Sequence, residues 1–443
     1  MNKIKKKIGF LGATAIGIGG MVGGGIFAVL GEAVSLAHGA TALAFLFAGI
    51  VAILTAYSYT KLSVCYQSRG GTVYFIDQAF GVSLLSSTVN LMLWLAYLVT
   101  ISLYATAFAA YGQTFFSGTD LADSAWLKHL LISISIILPA LINYLSVSLV
   151  EKSETFIVLI KVTLLLLIII TSITHVNPEH LSPAHWGEAS SIIIAGMIIF
   201  VAYEGFELIA NSAEEIKNPA RNLPKAFYGS VIFVIFLYIS IALITVGTVP
   251  EDQLMAAKDY ALAIAAKPAL GSIGFTAVSI AALLSTFSAI NATIYGNSRL
   301  GFILAKEGEL PAAFAIEKNK IPTVGIVATM LLSIVLANSI DLSEIAIIGS
   351  ASFILIFFIV NIGALKLSKK IKGNKIILLM ASLISAAALI ILLFHTYTTN
   401  TKSILIFLAF ILFSFIFELT YGKFVRETFR LNHVKKSGCT KQV

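Results

Sequence analysis

The sequence predicts an all-α polytopic membrane protein with twelve transmembrane helices, of which the first and the sixth are broken. Three observations lead to this prediction. The chain is 58% hydrophobic and only 12% charged, with a mean hydropathy of +0.94, which is unlike a soluble domain. Twelve apolar stretches divide it along its length. Two of these stretches, five spans apart, carry residues that interrupt a helix.

The twelve spans have lengths and apolar contents suited to crossing a bilayer. They are predicted near residues 10–36, 40–66, 84–117, 127–149, 154–174, 190–213, 225–249, 269–298, 322–338, 343–367, 375–396 and 402–421. The basic start of the chain precedes an apolar stretch that is too long for a signal-peptide core, so we expect it to be retained. Cys65 and Cys439 indicate neither a disulfide framework nor a metal site.

Basic residues are distributed asymmetrically between the predicted loops. With the N-terminus inside, 25 of the 30 Lys and Arg residues fall on the cytoplasmic side and one, Lys161, falls within a span. The four on the outer side are Lys128, Lys258, Lys267 and Lys402. The positive-inside rule therefore predicts cytoplasmic N- and C-termini in a cell membrane, plasma or inner. This bias also explains the net charge of +8 without a nucleic-acid partner.

The first span contains six glycines in twelve residues, I-G-I-G-G-M-V-G-G-G-I-F, from Ile16 to Phe27. Glycine costs about 1 kcal/mol per helical position relative to alanine, and lipid cannot replace lost backbone hydrogen bonds. The pattern therefore favours a helix broken inside the protein, with N–H and C=O groups facing a ligand. The alternative is close packing of helices through small residues, which Gly19–Gly23 and Gly20–Gly24 would fit.

The sixth span contains two acids around a glycine, in F-V-A-Y-E-G-F-E. Glu204 and Glu207 flank Gly205 in mid-membrane, where a carboxylate is costly unless it is neutral, paired or hydrated. Matching interruptions five spans apart indicate a five-plus-five inverted repeat with a substrate held between the two breaks.

Three blocks of sequence resemble one family. G-G-G-I-F at residues 23–27, F-V-A-Y-E-G-F-E through A-E-E-I-K-N-P-x-R-x-L-P-K-A at 200–226, and A-T-I-Y-G-N-S-R through A-K-E-G-E-L-P at 292–311 resemble the amino acid–polyamine–organocation superfamily. The likeness spans residues 10–420 and is closest to the proton-coupled, broad-specificity amino acid transporters. It implies an inverted-repeat transporter core over residues 1–368, with repeats at about 10–174 and 190–368. Helices 11 and 12, residues 375–421, would be peripheral, and residues 422–443 would form a basic cytoplasmic tail.

The same resemblance implies an amino acid substrate, and the residues suit its two charges. A substrate carboxylate would bind N–H groups at the start of the outer half of helix 1, which carries a partial positive charge. Backbone carbonyls at both breaks would accept from the substrate ammonium. The candidate substrate-binding residues are Ile16, Gly19, Gly20, Gly23, Gly24, Gly25, Ile26, Phe200, Val201, Tyr203, Glu204 and Gly205. Gly24 lacks the hydroxyl that many relatives have there.

Glu204 stands where relatives often have an apolar side chain. Ionised and facing the pocket, it would favour a substrate with a cationic or small polar side chain. The alternative for Glu204, and equally for Glu207, is a buried acid hydrogen-bonded to neighbouring backbone. Tyr97, Thr100, Ser102 and Tyr104 on helix 3 are either pocket-lining or packing residues.

Lys161 lies seven residues past Glu154, about 10 Å into the fifth span. Snorkelling to the interface is one interpretation. The other is a proton-coupling site, in which the Lys161 ammonium replaces the sodium ion that sodium-coupled relatives hold between helices 1 and 8. The partners predicted for it are Gly19, Ser285, Ser288 and Glu207.

Other functional classes are disfavoured. The chain has no potassium-channel filter of the T-V-G-Y-G type, no H-E-x-x-H motif and no phosphate-binding G-x-x-x-x-G-K-[ST] motif. We therefore expect no enzymatic activity, no cofactor and no metal, with amino acids, protons and lipid as partners. Two transport modes remain open, proton symport and an exchange of amino acids or amines that is independent of sodium and protons. The oligomeric state is not readable from the sequence.

Overall fold

We analysed a computed structural model of the chain. It describes residues 8–68, 70–122, 124–145, 147–318 and 321–422, with side chains left aside for residues 147–156. Of the basic residues counted on the cytoplasmic side, Arg69, Lys320, the side chain of Lys152 and both chain ends fall outside that description, as does Cys439.

The described residues are almost entirely helical. Helices α1 to α17, in chain order, are Phe10–Met21, Gly25–Ala37, Thr41–Cys65, Gly71–Phe80, Leu84–Gln113, Ala125–Leu145, Val147–Ser172, Ala189–Ile198, Leu208–Asn211, Pro219–Thr248, Glu251–Ala256, Ala261–Ala265, Lys267–Lys306, Thr323–Ser339, Leu342–Lys366, Lys375–Thr399 and Thr401–Phe417. Short 3₁₀ turns join several of them, and β pairing in this part of the chain is limited to three isolated bridges.

The polytopic all-α prediction is confirmed. Ten helical segments of the described chain are long and apolar enough to cross a bilayer, and the bent pair α1 and α2 would make an eleventh. The remaining predicted span corresponds to α14, which is apolar but only 17 residues long. The count of twelve therefore holds only if both the broken pair and this shorter helix cross the membrane.

Helix α4, Gly71–Phe80, was not anticipated from the sequence. It has ten residues and follows the second span, with most of its apolar side chains buried. A helix of this length rises only about 15 Å, so a search for membrane-spanning stretches does not register it. Helix α13 is also longer than predicted, at 40 residues with a kink at Gly271, because its polar C-terminal end stays helical to Lys306.

Helix α5 lies at the centre of the molecule. In the most apolar stretch of this helix and of the 3₁₀ turn that follows it, 94% of the residues are buried. In the last span, which begins with α17, the corresponding share is 22%. Helices α3, α6, α10, α13 and α15 surround α5 and the broken segments. A buried central helix thus faces both interruptions.

Candidate functional site

The first span breaks where the glycines predicted it. Helix α1 ends at Met21, and α2 begins at Gly25 with Gly24 as a cap residue that has no side chain to bind the first amides. The two helices are bent by 48°. The opening N–H groups of α2 have no partner within the helix, because a helix leaves its first four donors unsatisfied.

The sixth span loses its helical hydrogen bonding at a matching place. After α8 ends at Ile198, a 3₁₀ turn covers Ile199–Tyr203, and helix resumes only at α9. Between them Glu204 is extended, and Gly205 has φ of +117°. A side chain at this φ would be strained, so glycine is the residue that suits the turn.

The two interruptions touch each other through bare backbone. A Cβ atom added to Gly20 would lie 2.6 Å from the carbonyl oxygen of Gly205, and one added to Gly205 would lie 2.4 Å from the carbonyl carbon of Gly20. Likewise, a Cβ on Gly25 would lie 2.7 Å from Cα of Ala202. The glycines therefore serve the close approach of the two broken segments as well as the break itself.

Two side chains that the sequence analysis did not single out hold the broken ends. The Tyr238 hydroxyl, from α10, donates to Met21 O at 2.7 Å and lies 3.2 Å from Ala202 O. The Ser350 hydroxyl, from α15, donates to Ile198 O at 2.5 Å and accepts from Val201 N–H at 2.9 Å. Backbone groups left unpaired by the interruption are thus satisfied by neighbouring helices.

The two glutamates of the sixth span face one side of α5. Glu204 is 4% exposed, and its Oε2 accepts from the Tyr104 and Thr100 hydroxyls, each at 3.4 Å. Glu207 is fully buried. It accepts from the Tyr97 hydroxyl at 3.2 Å and from Gly205 N–H at 2.8 Å. Tyr97, Thr100 and Tyr104 follow helical spacing, so one stripe of α5 serves both acids.

Tyr104 also covers the first break. A Cβ on Gly24 would lie 2.3 Å from Cδ1 of Tyr104, and one on Gly23 would lie 2.9 Å from Cβ of Ala289. Because Tyr104 reaches both Gly24 and Glu204, the two interruptions and α5 form one continuous polar site in the membrane interior.

Lys161 lies beside the inner half of the first span. Its ammonium donates to Gly19 O at 3.0 Å, and the residue is 3% exposed. A Cβ on Gly19 would lie 2.7 Å from Val158, one turn before Lys161 on α7. The ammonium is therefore buried against α1 in this structure instead of extending to the membrane interface.

The hydroxyl groups predicted to lie near Lys161 are on α13, and they take separate positions. Ser285 donates to the carbonyl oxygens of Gly23 and, at 3.3 Å, Val22. Thr286 bonds back to Ala282 in its own helix, and Ser288 is 7% exposed. Ser285 thus joins α13 to the first break. It contacts residues just after Gly19, the residue that Lys161 contacts.

The other predicted site residues are spread around the breaks. Ile16 lies inside α1, five residues before its end, because helical bonding continues to Met21. Ile26 and Phe200 are fully buried. The Tyr203 hydroxyl donates to Phe45 O at 2.9 Å, so this ring is directed toward α3.

A further set of buried acids lies away from the breaks, on the cytoplasmic side predicted from charge. Glu309 is 1% exposed and accepts from the Ser87 hydroxyl at 2.7 Å and from the Asn90 amide at 3.2 Å. Asn90 also lies 3.3 Å from Asp77 of α4. These contacts fasten α4 and the loop after α13 to α5. Among the described residues, no group of three or more His, Cys, Asp or Glu is arranged to hold a metal ion.

Comparison with known proteins decides the family. The family model described as amino acid permease matches residues 8–417, which is nearly the whole chain. The chain belongs to this amino acid permease family. The resemblance of the three sequence blocks is thereby confirmed, and the protein is a multi-pass membrane transporter.

Individual relatives match this permease over most of its length. An uncharacterized protein of Methanocaldococcus jannaschii is 34% identical, with 98% of this chain and 99% of the relative covered. The inner membrane transport protein YbaT of Escherichia coli is 31% identical, covering 94% and 96%. The methylthioribose transporter of Bacillus subtilis is 28% identical, covering 81% and 80%.

A solved structure shares the fold of this permease. The Eremococcus coleocola manganese transporter, crystallised with an aromatic bis-isothiourea substituted compound, matches with a TM-score of 0.65. It covers 96% of this chain and 99% of its own, at 12% identity. The likeness confirms the transporter fold.

Proposed function

We propose that this permease imports amino acids by proton symport, with alternating access about the two broken spans. The observation that supports this most is the buried Lys161 ammonium bonded to Gly19 O beside the first break. A lysine ammonium at this position can release its proton and take one up again. The position of α1 would then depend on the protonation of Lys161. The family description supports an amino acid as the substrate.

In this proposal the substrate carboxylate binds at the start of α2. The N–H groups of Gly23, Gly24, Gly25 and Ile26 supply donors, and no side chain caps that terminus. The helix dipole adds a favourable partial charge. Because Gly24 has no hydroxyl, the carboxylate would be held by backbone alone.

The substrate ammonium binds on the opposite side of the same site. The backbone carbonyls near Phe200, Val201 and Glu204 would accept from it, with Gly19 and Gly20 contributing from α1. The Glu204 carboxylate would face the side chain of the substrate, where a charge-assisted hydrogen bond is about twice as strong as a neutral one. Substrates with a cationic or small polar side chain would therefore be preferred.

Movement about the breaks would open the site to each side in turn. The inverted-repeat core proposed over residues 1–368 would rock around the fixed site, with the spans over 375–421 at its edge. Proton release from Lys161 would remove the charge that strengthens its hydrogen bond to Gly19 O, which would allow α1 to shift. Glu207, Ser285 and Ser288 are the candidate neighbours of this coupling step.

Uptake into proteoliposomes tests the proposal. We expect gradient-driven accumulation of labelled amino acids with acid outside and no sodium, and a Lys161→Ala variant that no longer accumulates substrate above its external concentration. For one proton per neutral substrate, a gradient of one pH unit sustains about tenfold accumulation. The matched control is Lys225→Ala, an exposed lysine on α10, which should behave as wild type.

Two outcomes would contradict the proposal. Full uphill, pH-dependent uptake by Lys161→Ala would exclude this residue as the coupling site. Uptake by the wild type that requires preloaded amino acid would make the protein an exchanger, with Lys161 a fixed cation. The panel should include methylthioribose, because the Bacillus subtilis relative is named for that substrate.

A further inference from the structure

A cavity of about 190 Å³ lies at the membrane face opposite the N-terminal end of α1, and charged residues of both signs line it. On the predicted orientation this is the outer face. Its charged lining residues are Glu32, Lys128, Lys258, Asp259 and Asp341. Pockets for drug-sized ligands occupy roughly 300–1,000 Å³, so this cavity suits a small molecule of amino acid size.

The cavity borders α2, the helix that follows the first break. Ala28 and Glu32 of α2 form part of its wall, and Glu32 lies seven residues after Gly25, about 10 Å along the helix. The start of α15 and the loop between α11 and α12 supply the opposite walls. A substrate leaving this cavity inward along α2 would meet the proposed carboxylate site.

The charges of the cavity are partly paired with one another. Lys258 forms an ion pair with Glu32, whose side chain is 11% exposed. The backbones at this point also touch, because a Cβ on Gly31 would overlap the carbonyl oxygen of Lys258. The ion pair and this contact hold the outer loop against α2.

The cavity presents charges of both signs. Lys128 and Lys258 face the three carboxyl groups of Glu32, Asp259 and Asp341. A singly charged ligand would leave opposite charges unpaired, whereas a zwitterion matches both.

We propose that this cavity is an outer binding site for zwitterionic amino acids, in which Lys128 and Lys258 bind the carboxylate while Glu32 and Asp341 bind the ammonium. This deepens the proposed function, on which its role in transport rests. An arriving zwitterion exchanges the Lys258–Glu32 pair for two new pairs, so neither of these partly buried charges is left without a partner. The exchange releases the outer loop from α2 and opens the way to the break.

Transport kinetics give the first test. In Lys128→Gln we expect KM for the best-transported amino acid to rise about three- to fivefold, the effect of losing one partly exposed charge, with kcat within twofold of wild type. Lys128→Arg should restore the wild-type KM. The control Lys267→Gln, an exposed lysine on the same face outside the cavity, should leave KM unchanged.

Equilibrium binding gives a second test that needs no transport. Titration calorimetry of the purified full chain with L-alanine should give two sites in wild type, one of which is weakened about three- to fivefold in Lys128→Gln. Ethylamine and propionate, which each keep one of alanine's two charged groups, should not compete with alanine at that site. A single alanine site in wild type, or an unchanged KM in Lys128→Gln, would overturn the outer site.

The two proposals fail in different ways. Absence of gradient-driven uptake by wild type, with two alanine sites still present, would contradict proton symport and leave the outer site standing. Uptake that responds to the gradient, with a single alanine site, would support proton symport and contradict the outer site.

Discussion

At the residue scale, Glu204 is the side chain with the strongest consequence for substrate choice. Its carboxylate lies between two hydroxyls of α5 and close to the first break, through Tyr104. We predict that Glu204→Gln raises KM for cationic amino acids about tenfold or more, because a hydrogen bond to a charged group contributes roughly 1.5–3 kcal/mol. Neutral amino acids should change by less than threefold. Competition uptake with a labelled panel measures both.

A matched control separates specificity from burial. Glu309→Gln alters an acid that, like Glu204, is buried and accepts a hydrogen bond from a hydroxyl group, here that of Ser87. Glu309 lies away from the breaks. It should leave the ratio of cationic to neutral uptake unchanged. If Glu204→Gln does the same, Glu204 is a hydrogen-bonded structural acid.

Glu204 and the other candidate residues at the breaks were predictable from the sequence because their residue types are unusual in a membrane span. Repeated glycines, a buried lysine and mid-membrane glutamates each carry a cost that calls for an explanation. Tyr238 and Ser350 were not predictable, since tyrosine and serine are ordinary in such helices. Their partners lie 217 and 152 residues away, so only the folded chain brings them together.

At the element scale, the two interruptions depend on each other for space. The sequence predicted both breaks from local composition, but local composition carries no sign that Gly20 and Gly205 would touch. The contact arises from the packing of two segments far apart in the chain. Helix α4 was missed for a related reason, since a short helix buried by its neighbours has no periodic signal long enough to read.

We predict that Gly205→Ala abolishes most transport, to below about a tenth of the wild-type rate. The added Cβ would meet the Gly20 backbone at 2.4 Å while the residue sits at φ of +117°, and neither backbone is free to move as a side chain would. Initial uptake rates, normalised to protein reconstituted in the vesicles, measure the loss.

The control for this change is Gly229→Ala on α10, where nothing lies within 4 Å of the added atom. Its uptake should match wild type, and its thermal stability should be equal or slightly higher, since alanine favours a helix. Equal activity of both alanine variants would contradict a tight contact between the breaks.

At the scale of the whole molecule, orientation decides what each site can do. The orientation predicted from 25 cytoplasmic basic residues and four outer ones would place the charged cavity outside. A substrate then meets the cavity first and the broken spans second. Lys161, on α7 beside the inner half of the first span, would exchange its proton on the cytoplasmic side.

We predict that a membrane-impermeant maleimide labels Lys267→Cys in intact cells but reaches Lys225→Cys only after permeabilisation. Both lysines are exposed and lie at opposite ends of the membrane helices, and neither belongs to a proposed site. The background should carry Cys65→Ser and Cys439→Ser, so that the introduced cysteine is the only one in the chain. The reverse labelling would turn the cavity toward the cytoplasm, and it would then serve substrate release instead of capture. Because the central site lies between the two faces, its chemistry would survive that result, while the order of the import steps would not.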